Sequence, residues 1–207
     1  MIRTLESLQL DGGCVVFDFI NTVDARIPTS TFDYLQDYND LLAWSEKVKL
    51  LDRKRLEVIG TCLKSNQQRG ERAFRKAIKV RELLYALFSA IAKGRSPNED
   101  VVESFNVWLA QAFSKIKITI KSGGSKVYFT DTEISLDEPL WKILTSAYQV
   151  LMESNPERIR ECPRCGWLFL DTSKNGKRKW CNMQVCGSHD KALRYYYKKS
   201  SGGDQTE

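Results

Sequence analysis

The chain has 207 residues, 42% hydrophobic, 28% charged and 11% aromatic, with 32 Lys and Arg against 26 Asp and Glu for a formal charge of +6. This composition excludes a wholly disordered polymer, and the length suits one large domain or a medium domain carrying a small module. No apolar run approaches the roughly 20 residues of a membrane span, and Met1 to Asp11 lacks the basic segment and apolar core of a secretory signal, so a soluble cytoplasmic protein with no membrane partner is expected.

In chain order, Cys14 to Val23 is almost wholly apolar except for Asp18 and Asn21. Asp33 to Leu50 and Asp52 to Lys64 read as helices, each opened by an aspartate cap. Gly70 to Lys93 is the clearest helix, with Phe74, Ala77, Ile78, Leu84, Tyr85, Phe88 and Ile91 at three-and-four spacing. Arg81 falls inside that apolar stripe, where an unpaired guanidinium would cost several kcal/mol. It is expected within reach of Asp18, directly or through Asn21 or a ligand. Asp18, Asn21 and Arg81 thus form a candidate pocket for a small-molecule effector, the plainer reading being an internal ion pair with Asp18 or Glu82. After Gly94, Pro97 opens a helix with Val101, Phe105, Trp108, Leu109 and Ala112 inward. Lys115 to Lys121 alternates with period two, Gly123-Gly124 turns, and Lys126 to Thr130 returns as a hairpin partner. Leu136 to Ser154 is the last helix of a mainly α domain, and Asn155-Pro156 stops it, so the boundaries expected are 1–157, 158–199 and a disordered tail over 200–207.

From Arg158 to Lys199 there are 11 basic residues against 3 acidic ones, a charge of +8 that leaves the rest of the chain at −2. The same stretch holds Cys162-Pro-Arg-Cys165 and, fifteen residues on, Cys181-Asn-Met-Gln-Val-Cys186. Two short turns that each supply two sulfurs are what a tetrahedral, closed structural zinc site needs, so one Zn2+ is expected on Cys162, Cys165, Cys181 and Cys186. Two disulfides are the competing use of these cysteines, and nothing in the sequence points to export. Cys14 and Cys62 read as buried structural thiols. Trp167 to Leu170 reads as a strand, Asn175-Gly176 as a turn, Lys177 to Trp180 as the returning strand and Gly187 to Lys199 as a helix, a treble-clef-like order. On that helix Lys191, Arg194 and Lys198 share a basic face, with Ala192, Leu193, Tyr196 and Tyr197 expected to pack on Trp167 and Trp180. Lys177, Arg178 and Lys179 extend the basic surface, unless Arg178 pairs with Asp171 inside the module. His189 is the sole histidine and is read as a surface or phosphate-facing residue.

The run Cys162-Pro-Arg-Cys165-Gly-Trp-Leu-Phe-Leu-Asp171-Thr-Ser173 with Arg178-Lys-Trp180-Cys181-Asn-Met183-Gln-Val-Cys186-Gly187 resembles the CGNR zinc finger. Upstream, Phe17-Asp18-Phe-Ile-Asn21-Thr22, Tyr38 to Trp44 and Arg81 to Phe88 resemble the ABATE domain that precedes this finger in stress-induced bacterial transcription regulators. The resemblance spans nearly the whole chain and implies a zinc-containing DNA-binding regulator, with the helical domain as a sensor or homodimerisation unit. One departure stands out. The family's Asn-Arg after Cys-Gly is Ser188-His189 here, so a phosphate or base contact made by that arginine is weakened or made pH-dependent. A zinc-stabilised protein-interaction or RNA-binding module is the alternative. An enzyme is disfavoured, since the chain has no Gly-rich phosphate loop and no nucleophile elbow.

Overall fold

The computed structural model describes residues 3–129 and 134–201, the side chains of 194, 195 and 198–201 excepted. The chain is mostly helical, with two small antiparallel hairpins. After a 3-10 turn (Leu5–Ser7) come α1 (Val15–Ile20), α2 (Tyr38–Lys47), α3 (Arg53–Ser65), α4 (Gln67–Ala92) and α5 (Glu99–Phe113). The first hairpin, β1 (Ile116–Lys121) with β2 (Gly124–Phe129), leads to α6 (Glu138–Glu153). A second, β3 (Ile159–Glu161) with β4 (Leu168–Leu170), leads through a loop and a π-helical turn (Met183–Gly187) to α7 (Ser188–Ser201). Among the described residues no helix is long and apolar enough to cross a membrane.

Side-chain caps fix where the helices start. Asp37 accepts from the N–H groups of Asn39 and Asp40, Asp52 from Arg55, Asn66 from Arg69 and Asn98 from Asp100. The second helix therefore begins at Tyr38, not at Asp33 as its acidic residue suggested. Asp33 is held elsewhere: it forms an isolated bridge with Val23, accepts from Leu35 N–H and pairs with Arg81.

Helix α4 is the axis of the core. Ala73, Ala77, Val80, Leu84, Leu87 and Phe88 are buried along it, with Phe17 of α1 edge-on to Phe88 at 5.0 Å. Helix α6 contributes Leu140, Ile143, Leu144, Ala147 and Val150, and α1 is buried on nearly every side. The apolar cluster does not stop at residue 157. It runs on through Ile159, Trp167, Leu168, Phe169 and Trp180 to the cysteines, so the C-terminal module is docked on the helices through one shared core.

One strand expectation is corrected. β4 pairs with Ile159–Glu161, and Lys177 to Trp180 is no strand. The Cys162–Cys165 knuckle itself joins the two strands, with Cys162 N–H donating to the Trp167 carbonyl at 2.8 Å. Of the expected tail, Ser200 and Ser201 complete α7 and the remainder lies outside the described residues, as does Thr130 of the first hairpin.

Candidate zinc centre and basic surface

The knuckle depends on Gly166. Its φ of +71° is in the region that favours glycine, and a Cβ there would stand 2.7 Å from Arg26 Cβ and 2.9 Å from Ile27 Cγ1. The second cysteine pair is set by Asn182, whose Oδ1 accepts from Gln184 and Val185 N–H and so caps the π-helical turn carrying Cys186. Asp171 shapes the loop between the pairs, accepting from Ser173 and Arg178 N–H at 2.9 Å each.

These turns bring the four sulfurs of Cys162, Cys165, Cys181 and Cys186 within 4.8 Å of one another. The Cys165–Cys181 separation is 3.5 Å, and Cys186 lies 3.7 Å from each of those two. A tetrahedron with Zn–S of about 2.3 Å has sulfurs about 3.8 Å apart, so the donor set fits one zinc. The thiols also need a cation. Hydrogen bonds from Cys165 and Cys181 pull Cys162 below its ordinary range, while contact with Cys162 pushes Cys165 and Cys181 up and burial raises Cys186. All four become thiolates only with a positive charge at their centre. By contrast Cys14 is an isolated thiol, driven by burial to about 12.

The centre is tied to the helical part by polar contacts as well as by the core. The Cys165 carbonyl accepts from Arg26 and Ile27 N–H at 2.5 and 3.2 Å, Leu170 N–H donates to the Gly12 carbonyl, and Trp167 Nε1 donates to the Val23 carbonyl. Asn21 pairs both of its amide atoms with Leu168, donating to its carbonyl at 2.8 Å and accepting from its N–H at 3.0 Å. Asn182 Nδ2 donates to Asp11, and Glu161 accepts from Ser89 and pairs with Lys93 at 3.1 Å.

The candidate pocket of Asp18, Asn21 and Arg81 is not assembled. Arg81 is 3% exposed, as its place in the stripe required, but its partner is Asp33, in two parallel contacts of 2.8 and 2.5 Å. Thr22 Oγ1 also accepts from Nη1, and Glu82 from Nε. Asp18 instead accepts from Gly12 N–H, and Asn21 is spent on Leu168. Each polar group in the apolar run does find a partner. They do not find one another, because Asp33 reaches Arg81 from a loop that carries no periodic signal.

Of the residues placed on a nucleic-acid surface, Lys177, Lys179, His189 and Lys191 are exposed. None of the three lysines joins an ion pair among the described residues; Lys179 Nζ lies 4.8 Å from the Trp180 ring. Arg178 is turned inward. Its guanidinium donates to the Trp180 and Cys181 carbonyls and lies over Phe169 at 4.7 Å, a structural role beside the zinc ligands. His189 Nδ1 meets the Arg164 guanidinium. Arg194 and Lys198 belong to α7, but their side chains lie outside those described. Leu193, Tyr196 and Tyr197 do not form a packed inner face: they are 41%, 67% and 65% exposed. The apolar residues described on α7 thus face solvent.

Two family models match the sequence. The CGNR zinc finger covers residues 158–199, and the ABATE model, described as "Putative stress-induced transcription regulator", covers residues 13–154. The chain belongs to the ABATE family and carries a CGNR zinc finger. Neither model describes an enzyme. No curated protein matches the chain. In the CGNR finger of this chain, Ser188 donates to the Met183 carbonyl at 3.2 Å at the start of α7, and the adjacent His189 takes the Arg164 contact.

Proposed function

We propose that the chain is a non-enzymatic transcription regulator of the cytoplasm, or of the nucleoid within it, that binds DNA through the exposed basic side of its finger. The helical unit (1–157) is proposed to sense and homodimerise, and the finger (158–199) to bind. The observation that carries this reading is the contrast among the finger's cations. Arg158 and Arg178 are spent on backbone carbonyls of the module and Arg160, though exposed, donates to the Gly176 carbonyl, whereas Lys177, Lys179 and Lys191 are exposed and free of acidic partners among the described residues. A zinc-held body with lysines directed to solvent suits phosphate contact, which positions a protein on duplex without selecting sequence. A small effector is best accommodated in the groove of about 660 Å³ between residues 24–34 and the finger, walled by Arg3, Tyr34, Arg164, Trp167 and Asn182. Since both units line it, occupancy there couples one to the other.

The test is affinity for duplex DNA, single-stranded DNA and RNA at matched ionic strength. If about four phosphates are met by the finger, its contacts contribute roughly −3.6 to the slope of log affinity for duplex against log salt. Lys177→Ala with Lys191→Ala makes that slope shallower by roughly 1.8, equally for all sequences. Zinc-loaded protein with no salt-sensitive binding to any nucleic acid overturns the reading. Exposed Tyr196 and Tyr197, in edge contact at 6.0 Å, favour a second reading in which the polymer is single-stranded RNA stacked on aromatic rings. Tighter binding to RNA than to duplex at the same salt selects it.

A further inference from the structure

The hairpin of β1 and β2 is amphipathic in an unusual place. Its six cross-strand pairs sort the side chains: Ile116 faces Phe129, Ile118 faces Val127 and Ile120 faces Ser125 on one side, while Lys117 faces Tyr128, Thr119 faces Lys126 and Lys121 faces Gly124 on the other. The first side is anchored at its base, where Phe129 stacks on Trp141 of α6 at 6.2 Å and 28°. Beyond that anchor the ribbon stands away from the body, with Ile118, Ile120 and Val127 60 to 81% exposed and Lys117, Lys121, Lys126 and Tyr128 exposed as well. Six residues per strand give it a length of about 20 Å.

Its charge is one-sided. Lys115 to Thr130 holds four lysines and no acidic residue, within a helical unit (1–157) whose 21 basic and 21 acidic residues balance, and Asp131 and Glu133 follow it in sequence. Lys117, Lys121 and Lys126 join no ion pair among the described residues. Past the ribbon, Ser135 to Asp137 line a notch of about 200 Å³ with Arg69, Arg72 and Lys76 of α4, where Asp137 lies 2.6 Å from Lys76. A structural hairpin needs neither a uniform charge nor exposure on both faces, and sheet edges are usually kept short or covered.

We propose that the β1–β2 ribbon is a second nucleic-acid-contacting element, an arm that lays its Lys117, Lys121 and Lys126 face against duplex DNA. The proposal rests on the DNA-binding reading of the chain but not on the finger's residues. Two antiparallel strands fit the roughly 12 Å width of a major groove, and three lysines on one face of a ribbon about 20 Å long can each reach a different phosphate. The arm springs from the start of α6, whereas the finger follows its end. The 16 residues between them span about 24 Å, so the two elements contact separate stretches of a duplex.

The experiment uses the full, zinc-loaded chain and mixed-sequence duplex DNA over a range of salt. Lys117, Lys121 and Lys126 are replaced together by Ser, and in a separate variant by Arg. Lysines on an exposed polar face are dispensable for folding, which far-UV circular dichroism and zinc content confirm for each variant. The Ser variant is expected to bind with a log–log salt slope shallower by roughly 2.7, the Arg variant to keep the parent slope. A Ser variant with the parent's slope and affinity overturns the arm while leaving finger binding intact. Absence of duplex binding by the parent protein overturns the underlying reading and the arm with it. A slope change accompanied by loss of a dimer in sedimentation also overturns the arm, assigning the ribbon to a second copy of the chain.

Discussion

At the scale of single residues, the structure explains why polar groups stand where the apolar pattern has no room for them. Arg81 is satisfied by a two-pronged pair to Asp33 and by Thr22 and Glu82, and burial that works against the cation is outweighed by the Asp33 hydrogen bonds. Arg81→Ala leaves the Asp33 carboxylate, a third exposed, to water but strips the cation from the stripe and opens a cavity there. A loss of about 3–5 kcal/mol in denaturant unfolding is expected, against less than 0.5 kcal/mol for the exposed Arg75→Ala on the same helix. Asp18 acts in the opposite sense. Burial, with Asp11 nearby, raises its carboxyl from 3.8 to about 6, although Gly12 N–H donates to it. The folded state therefore holds the proton over that interval while the unfolded chain releases it. The stability Asp18 contributes is fully present below about pH 3.8 and lost as pH rises through about 6. Asp18→Asn keeps an acceptor for Gly12 and removes the buried charge, so thermal or urea unfolding at pH 7.5 shows a gain of up to about 3 kcal/mol that vanishes near pH 4. A gain of the same size at both pH values excludes this cause.

At the scale of elements, periodicity carried most of the helices and caps carried their ends. Helices α3 to α6 lie close to where apolar spacing and Asp52, Asn155-Pro156 and Pro139 place them. The cysteine spacing was legible without any geometry, because zinc chemistry fixes both the residue type and the short turns. What escaped was decided by contacts between distant segments. Ile159–Glu161 is too short to show a period of two, and it becomes a strand only because the knuckle turns Leu168–Leu170 back upon it. Asp33 looked like a cap because nothing local distinguishes a capping aspartate from one paired across the fold. The outward apolar side of α7 reads as a packed face in sequence, since exposed apolar residues keep the same helical spacing as packed ones. Two glycines separate local from tertiary demands. Gly60, inside α3, has nothing within 4 Å of an added Cβ, so Gly60→Ala is expected to stabilise by about 0.5–1 kcal/mol. Gly166→Ala meets both a positive φ and the side-chain atoms Arg26 Cβ and Ile27 Cγ1, and is expected to destabilise by about 2 kcal/mol or more and to speed zinc loss to a chromogenic chelator. Equal melting temperatures for Gly166→Ala and the parent exclude this account of the knuckle.

At the scale of the whole molecule, the finger is built into the fold and is not an appendage on a linker. Leu168 and Phe169 are fully buried in the cluster that also holds Phe17, Phe19 and Phe88, and hydrogen bonds join Asn21, Gly12, Val23 and Arg26 to the knuckle, Trp167 or β4. On sequence alone, loss of a ligand should unfold the C-terminal segment and spare the helices. The shared core argues otherwise. Removing zinc leaves four thiols in mutual contact with no central cation, which frees the knuckle. Once the knuckle moves, Asn21, fully buried and bonded to Leu168 alone, has both amide atoms unpaired, at about 1–3 kcal/mol for each buried group left unsatisfied. Water also reaches the face of α1 and α4 that Leu168 and Phe169 cover. The helices and the finger are therefore expected to melt together. Circular dichroism at 222 nm follows the helices, and 19F NMR of 5-fluorotryptophan-labelled protein resolves Trp167 and Trp180, beside the metal, from Trp44, Trp108 and Trp141 of the helices. In zinc-loaded protein the two signals should show one coincident transition. After chelation, or in Cys165→Ser, both move to lower temperature together, by well over the few degrees that 1 kcal/mol represents for a chain of this size. A helical transition that stays in place while the finger signal is lost shows two independent units joined at residue 157, and the shared core then contributes little to stability.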